Sequence, residues 1–123
     1  MSSEIKTESN LTHIELAKQQ KKLTECISFL YDIAEAITNK HIVSRGSRWD
    51  YGNQISRMHE EVSEAYRSLR KHEPEDDYLC EVMDCIFSAV TLPIITKSKK
   101  EDLMRAGQLT LIKLYKRQDM LPQ

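Results

Sequence analysis

The chain is 123 residues long, 40% apolar and 30% charged, with 18 Lys+Arg against 19 Asp+Glu and a formal net charge of -1. That length fits one domain, or one subunit of a small oligomer, so a single domain over 1–123 is expected. The charge balance excludes the overall basic footprint of a nucleic-acid or membrane-surface binder, and three glycines with three prolines exclude a collagen-like or Pro/Gly-rich disordered chain and favour long helices over a sheet.

Residues 1–10, MSSEIKTESN, are polar, lack the apolar run of a secretory leader and are expected to be loose. From about residue 12 the period becomes helical. Leu16, Leu23, Cys26, Ile27, Leu30, Ile33, Ala34 and Ile37 recur at three- and four-residue steps, which predicts a first helix to about Asn39. The stretch 40–50, KHIVSRGSRWD, breaks the stripe and reads as a loop around Gly46. Asp50 is a good N-cap for a second helix, lined on one side by Ile55, Met58, Val62, Ala65, Tyr66 and Leu69 and ending near Lys71. Pro74 marks the next turn, and Glu75, Asp76 and Asp77 suit the positive end of a third helix. That helix carries Leu79, Val82, Met83, Ile86, Phe87, Ala89 and Val90, a face broad enough to make it the most buried of the set, until Pro93 kinks or ends it. Ser98 and Glu101 fit a capping box opening a fourth helix. There Leu103, Ala106, Gly107, Leu111 and Leu114 share one stripe while Leu109 and Ile112 point elsewhere, as expected of a helix that also meets a second subunit.

These elements predict an all-α fold, a four-helix antiparallel bundle completed by oligomerisation. The rival is a helical hairpin that becomes a bundle only on dimerisation. Cys26, Cys80 and Cys85 make no CxxC pair and read as small apolar residues in a reducing compartment, so a cytoplasmic location is expected. No run reaches ~18 apolar residues, and no membrane span is expected.

The informative residues are acidic. Glu61 and Glu64 lie three apart on the second helix, Glu81 and Asp84 three apart on the third, so each pair leaves one side of its helix. If the short turn between makes the helices antiparallel neighbours, four carboxylates converge. Like charges that close raise one another's pKa unless a cation neutralises them. Mg²⁺ is the natural cation, a hard ion that prefers oxygen ligands and bridges to phosphates, with Mn²⁺ as a substitute. Glu60 can join the shell or orient a water. Acids at such spacing are also common as a plain solvated face.

The pattern Glu60-Glu61-x-x-Glu64, sixteen residues, then Glu81-x-x-Asp84 resembles the EExxE…ExxD signature of the all-α NTP pyrophosphatase superfamily, the MazG-like and dUTPase/dCTPase-like enzymes. The likeness covers roughly residues 20–117, with a sharp motif over 57–90. It implies a dimeric or tetrameric helical bundle that cleaves a nucleoside triphosphate between the α and β phosphates with Mg²⁺, releasing a monophosphate and pyrophosphate. It also implies Glu61, Glu64, Glu81 and Asp84 as metal ligands, with Glu61 or Glu64 as the base that activates water. Where relatives carry an asparagine and basic residues on the last helix, this chain reads LIKLYKR, with basic residues but no asparagine.

Lys113 and Arg117, four apart on the fourth helix, are candidates for phosphate contact, while Arg57 and Arg67 on the motif helix are placed to pair with the acids. Trp49 and Tyr51, beside Asn53 and Gln54, are candidates to stack on a base and read its edge, or to staple the loop onto the bundle. The absence of an ExxH pair disfavours a di-iron site. Nucleic-acid binding is disfavoured, because no aromatic residues interleave with basic ones. Two other functions stay open. One is a helical adaptor or regulatory dimer with purely surface acids. The other is a hydrolase of another pyrophosphate-containing nucleotide, such as an alarmone.

Overall fold

The computed structural model describes residues 11–45 and 49–123, the side chains of 42–45 excepted. It contains four helices, α1 (His13–Arg45), α2 (Tyr51–Arg70), α3 (Glu75–Ile95) and α4 (Lys100–Arg117), and no strand among the described residues. The fold is therefore all-α. The expectation for residues 1–10 and the loop glycine Gly46 lie outside the described residues.

Side chains open two helices. Thr12 and Glu15 close a reciprocal box at the start of α1: the Thr12 amide donates to Glu15 Oε1 at 2.9 Å, and the Glu15 amide to Thr12 Oγ1 at 3.0 Å. The bond from the Thr12 amide holds the Glu15 carboxyl below its ordinary range. Asp50 and Asn53 do the same for α2, at 2.9 and 3.1 Å. The expected loop from Lys40 is not formed. The helix continues past Asn39 to Arg45, because KHIVSR holds no glycine or proline to interrupt the backbone ladder. Likewise α3 does not end at Pro93 but runs to Ile95. A proline in the last turn removes only one hydrogen bond to the preceding turn.

Helix ends are made without glycine. His72, Lys97 and Asp119 take φ values of 55°, 62° and 57°, the left-handed conformation that reverses the chain after a helix. In each case the next amide reaches back to close the turn: Glu73 to Ser68 O at 3.2 Å, Ser98 to Pro93 O at 2.8 Å and Met120 to Tyr115 O at 2.9 Å.

Contacts gather into two compact units, the described part of Met1–Phe29 with Lys100–Gln123, and Leu30–Lys99. In the first, the N-terminal part of α1 runs antiparallel to α4. The Leu11 amide donates to Met120 O at 3.1 Å, Tyr115 hydrogen-bonds Gln19, and Gln108 Nε2 donates to Thr24 Oγ1 at 2.8 Å. Gly107 lets the Ile27 side chain of α1 pack against α4, since a Cβ there would collide with Ile27 Cδ1.

The second unit carries the acids. Here α2 and α3 form an antiparallel hairpin, joined by a turn at 71–74. The C-terminal part of α1 contributes buried Tyr31, Ala34 and Thr38, and the Tyr31 hydroxyl donates to Ser98 O at 3.1 Å. The apolar side of α2 is not the buried side. Ile55, Val62, Tyr66 and Leu69 are exposed, and the residues α2 buries are Gln54, Glu61 and Ser68. On α3 Leu79, Met83 and Ile86 are exposed and Ser88 is buried, and a larger share of its residues is buried or half-buried than on α2 or α4. By length and composition α3 is apolar enough to cross a membrane. It nevertheless presents Glu81 and Asp84 to Glu61 of α2, a mid-helix pair of carboxylates that suits a core helix with an uncovered outer face better than a lipid span.

Candidate metal centre

Helical periodicity puts Gln54, Arg57, Glu61 and Glu64 on one side of α2, where all four line a cavity of about 610 Å³ within the Leu30–Lys99 unit. That volume is in the range of small-molecule sites. From α3 come Asp84, Phe87 and Ser88, and from α1 Ala34, Thr38 and His41, with Trp49 at the start of α2.

Three carboxylates gather beside this cavity. Glu61, Glu81 and Asp84 each offer an oxygen lying within 4.8 Å of the other two. Glu61 is 4% exposed, a charge-bearing group placed where water is nearly excluded. It pairs with Arg57, whose Nε donates to Glu61 Oε1 at 2.8 Å. Burial pushes the Glu61 carboxyl up; the Arg57 charge opposes this, and Glu64, Asp84 and Glu60 add to it. The Glu81 carboxyl is also pushed up, first by desolvation, then by Glu64, Asp84 and Glu61, and by a hydrogen bond shared with Glu64. Desolvation and these acids likewise raise the Cys85 thiol, so the sulfur beside the cluster stays neutral and the available donors are hard oxygens.

A divalent cation fits this set. Glu81 Oε2 is buried with no hydrogen-bond partner, and so is the hydroxyl of Ser88, itself 8% exposed on the cavity wall. Buried polar atoms are normally satisfied, and a cation would satisfy an orphaned carboxylate oxygen inside an acidic cluster. The donor set matches ions that take carboxylate oxygens.

Of the four expected ligands, Glu61, Glu81 and Asp84 form the close group, while Glu64 lines the cavity and acts on the others by charge. Glu60 is exposed and lines no part of the cavity. Among the aromatic candidates Trp49 reaches the site, its indole N–H donating to Gln54 Oε1 at 2.8 Å. Gln54 in turn donates to Ser88 O at 2.9 Å, so its amide is held between α2 and α3. Tyr51 is exposed and is not on the cavity wall, and Asn53 is engaged in the α2 cap. Lys113 and Arg117 are exposed on α4, in the other unit, and do not line this cavity. The contribution of α1 was missed. Thr38 and His41 lie at and beyond the end of its apolar stripe, and their only signal was an uninterrupted helical sequence up to Gly46.

No family model matches the chain, no curated protein matches its sequence, and no solved structure matches its fold. The likeness to the all-α NTP pyrophosphatases therefore stands on the EExxE…ExxD spacing alone.

Proposed function

We propose that this chain is a Mg²⁺-dependent nucleoside triphosphate pyrophosphohydrolase that converts a (deoxy)nucleoside triphosphate to the monophosphate and pyrophosphate. The observation that carries this reading is the grouping of Glu61, Glu81 and Asp84 oxygens within 4.8 Å on one side of a cavity about 610 Å³ in volume. In this reading those three residues hold the cation. When bound, Mg²⁺ supplies charge neutralisation for the polyphosphate and for the pyrophosphate leaving group.

The chain's own residues supply the rest. Glu64 lines the cavity beside the triad without belonging to its close group, which favours it over Glu61 as the group that takes the proton from water. Glu61 is itself one of the three residues assigned to the cation. Water adds to the α-phosphorus, the bond to the α,β-bridging oxygen breaks, and pyrophosphate leaves. Trp49 borders the cavity and offers an aromatic face to the base. The exposed apolar stripe Ile55, Val62 and Leu69 on α2, with Leu79, Met83 and Ile86 on α3, supports assembly as a homodimer or homotetramer.

A product assay over a panel of nucleotides tests the reaction. Monophosphate and pyrophosphate are expected with Mg²⁺ and not without it. Glu64→Gln or Asp84→Asn should each lose at least ~10²-fold in rate. Release of orthophosphate from the γ position would reject the proposed cleavage.

A further inference from the structure

The acids account for a cation but leave open what balances the charge of a polyphosphate. A triphosphate brings more negative charge than one divalent ion cancels, so a site that takes one also needs a side-chain cation. The sequence points to Lys113 and Arg117 for this, and both belong to the other compact unit, so the Leu30–Lys99 unit must be read for a cation of its own. Among the described lining residues one guanidinium is present and no ammonium: Arg57.

Arg57 has two features that a fixed structural ion pair would not combine. Its partner Glu61 is almost fully buried, with a side chain 5% exposed, whereas the Arg57 side chain is 55% exposed. The guanidinium is thus anchored at one nitrogen and open at the rest, with donors left for a second acceptor. Its position is also intermediate. Gln54, which holds the Trp49 indole, lies about one turn before it on α2, and Glu61 and Glu64 lie one and two turns after. A ligand reaching from the indole to the carboxylates must lay its middle across Arg57.

We propose that Arg57 is a two-position phosphate-binding residue: paired with Glu61 while the cavity is empty, and turned onto a phosphate oxygen when a polyphosphate enters with its divalent ion. This rests on the reading of Glu61, Glu81 and Asp84 as a cation site. The Glu61 carboxylate holds Arg57 because it carries an otherwise uncompensated charge. Once a cation takes up that charge the hold weakens, and the planar donor fork is released to a phosphate, the acceptor it matches best. In the empty site the same pair keeps the buried carboxylate compensated.

The test uses the full chain, Mg²⁺ alone, and Mg²⁺ with inorganic tripolyphosphate, which has no base. Binding is read by calorimetry and by fluorescence of Trp49, the single tryptophan. Arg57→Gln should bind Mg²⁺ as tightly as the unaltered chain or more tightly, because a competing counter-ion is gone. It should bind tripolyphosphate about 10-fold more weakly or worse. Arg57→Lys should recover part of that loss. Unchanged tripolyphosphate affinity in Arg57→Gln, with Mg²⁺ binding intact, overturns the proposal and leaves the cation site standing. An equal loss of Mg²⁺ and tripolyphosphate affinity would assign Arg57 to Glu61 alone and overturns it too. Failure of the unaltered chain to bind Mg²⁺ removes the cation reading, and this proposal with it.

Discussion

The two sides of α2 reverse the usual arrangement of an amphipathic helix. Gln54, Glu61 and Ser68 recur every seven residues on its buried side, and each is followed at once by Ile55, Val62 or Leu69 on the exposed side. The contrast is sharpest at Glu61 and Val62, adjacent in sequence and 4% against 59% exposed. Transfer free energies alone would turn the helix about 100° the other way. Two things hold it as it is. Two of the three polar side chains inside are tied to α3 or to a counter-ion, through Gln54 to Ser88 O and Glu61 to Arg57, while the Ser68 hydroxyl has no partner. An apolar stripe left in water is stabilising only when something covers it. In the proposed reading the inner side serves chemistry and the outer side serves contact.

The inner side is broken most strongly by removing a ligand carboxylate. Mg²⁺ at 100 times its dissociation constant should stabilise the protein by about 2.7 kcal/mol, read as a rise in the thermal midpoint. Asp84→Asn should abolish that rise while raising the midpoint of the metal-free protein, because one of the charges that crowds Glu61 and Glu81 is gone. Opposite movements of activity and metal-free stability separate a ligand site from a merely solvated acidic face. A lowered metal-free midpoint would make Asp84 structural.

The outer side is sharpened by Val62→Glu. On a surface that stays in water this change should move stability by no more than about 0.5 kcal/mol. With the apolar stripe as a subunit interface, the variant should elute as a smaller species in size-exclusion chromatography, its Mg²⁺ binding retained. Elution identical to that of the unaltered chain, over a range of concentrations, counts against a homo-oligomer through this face.

The smallest effect expected is in pH. The carboxyls of Glu61 and Glu81 are pushed above the ordinary glutamate value of 4.5. Protonated, they contribute stability that is fully present below that value and is lost as pH rises through their raised values. Metal-free melting should therefore decline over that window. The Mg²⁺-induced rise should grow over the same window, since the cation displaces protons. Parallel melting curves with and without Mg²⁺ would separate the cation from these two groups.

Much was legible in the chain because it follows from local rules. The Asp50 cap, the acidic first turn at Glu75–Asp77 and the three-residue spacing within each acid pair are set by neighbours in sequence. The end of α1 lies beyond the expected boundary because its apolar stripe fades after Ile37 while no breaker precedes Gly46. The helix ends at His72, Lys97 and Asp119 carry no glycine to announce a left-handed residue. Tyr51 and Asn53 looked like ligand contacts by chemistry, but the Asn53 side chain is held by Asp50.

Sequence by itself determined four things here: an all-helical chain, the starts of α1, α2 and α3 (the Ser98–Glu101 box expected for α4 does not form, Ser98 Oγ pairing with Thr96 Oγ1 instead), its acid spacing and the amphipathic character of α2. Each depends on residues within a turn or two of one another. Tertiary structure alone decided which side of α2 turns inward, that Arg57 pairs with Glu61, and that Glu61 sits out of water beside Glu81 and Asp84. The periodicity of a single helix marks an apolar side and a polar side. Burial belongs to whichever side the partner helix covers, and that is set by contacts between residues far apart in the chain.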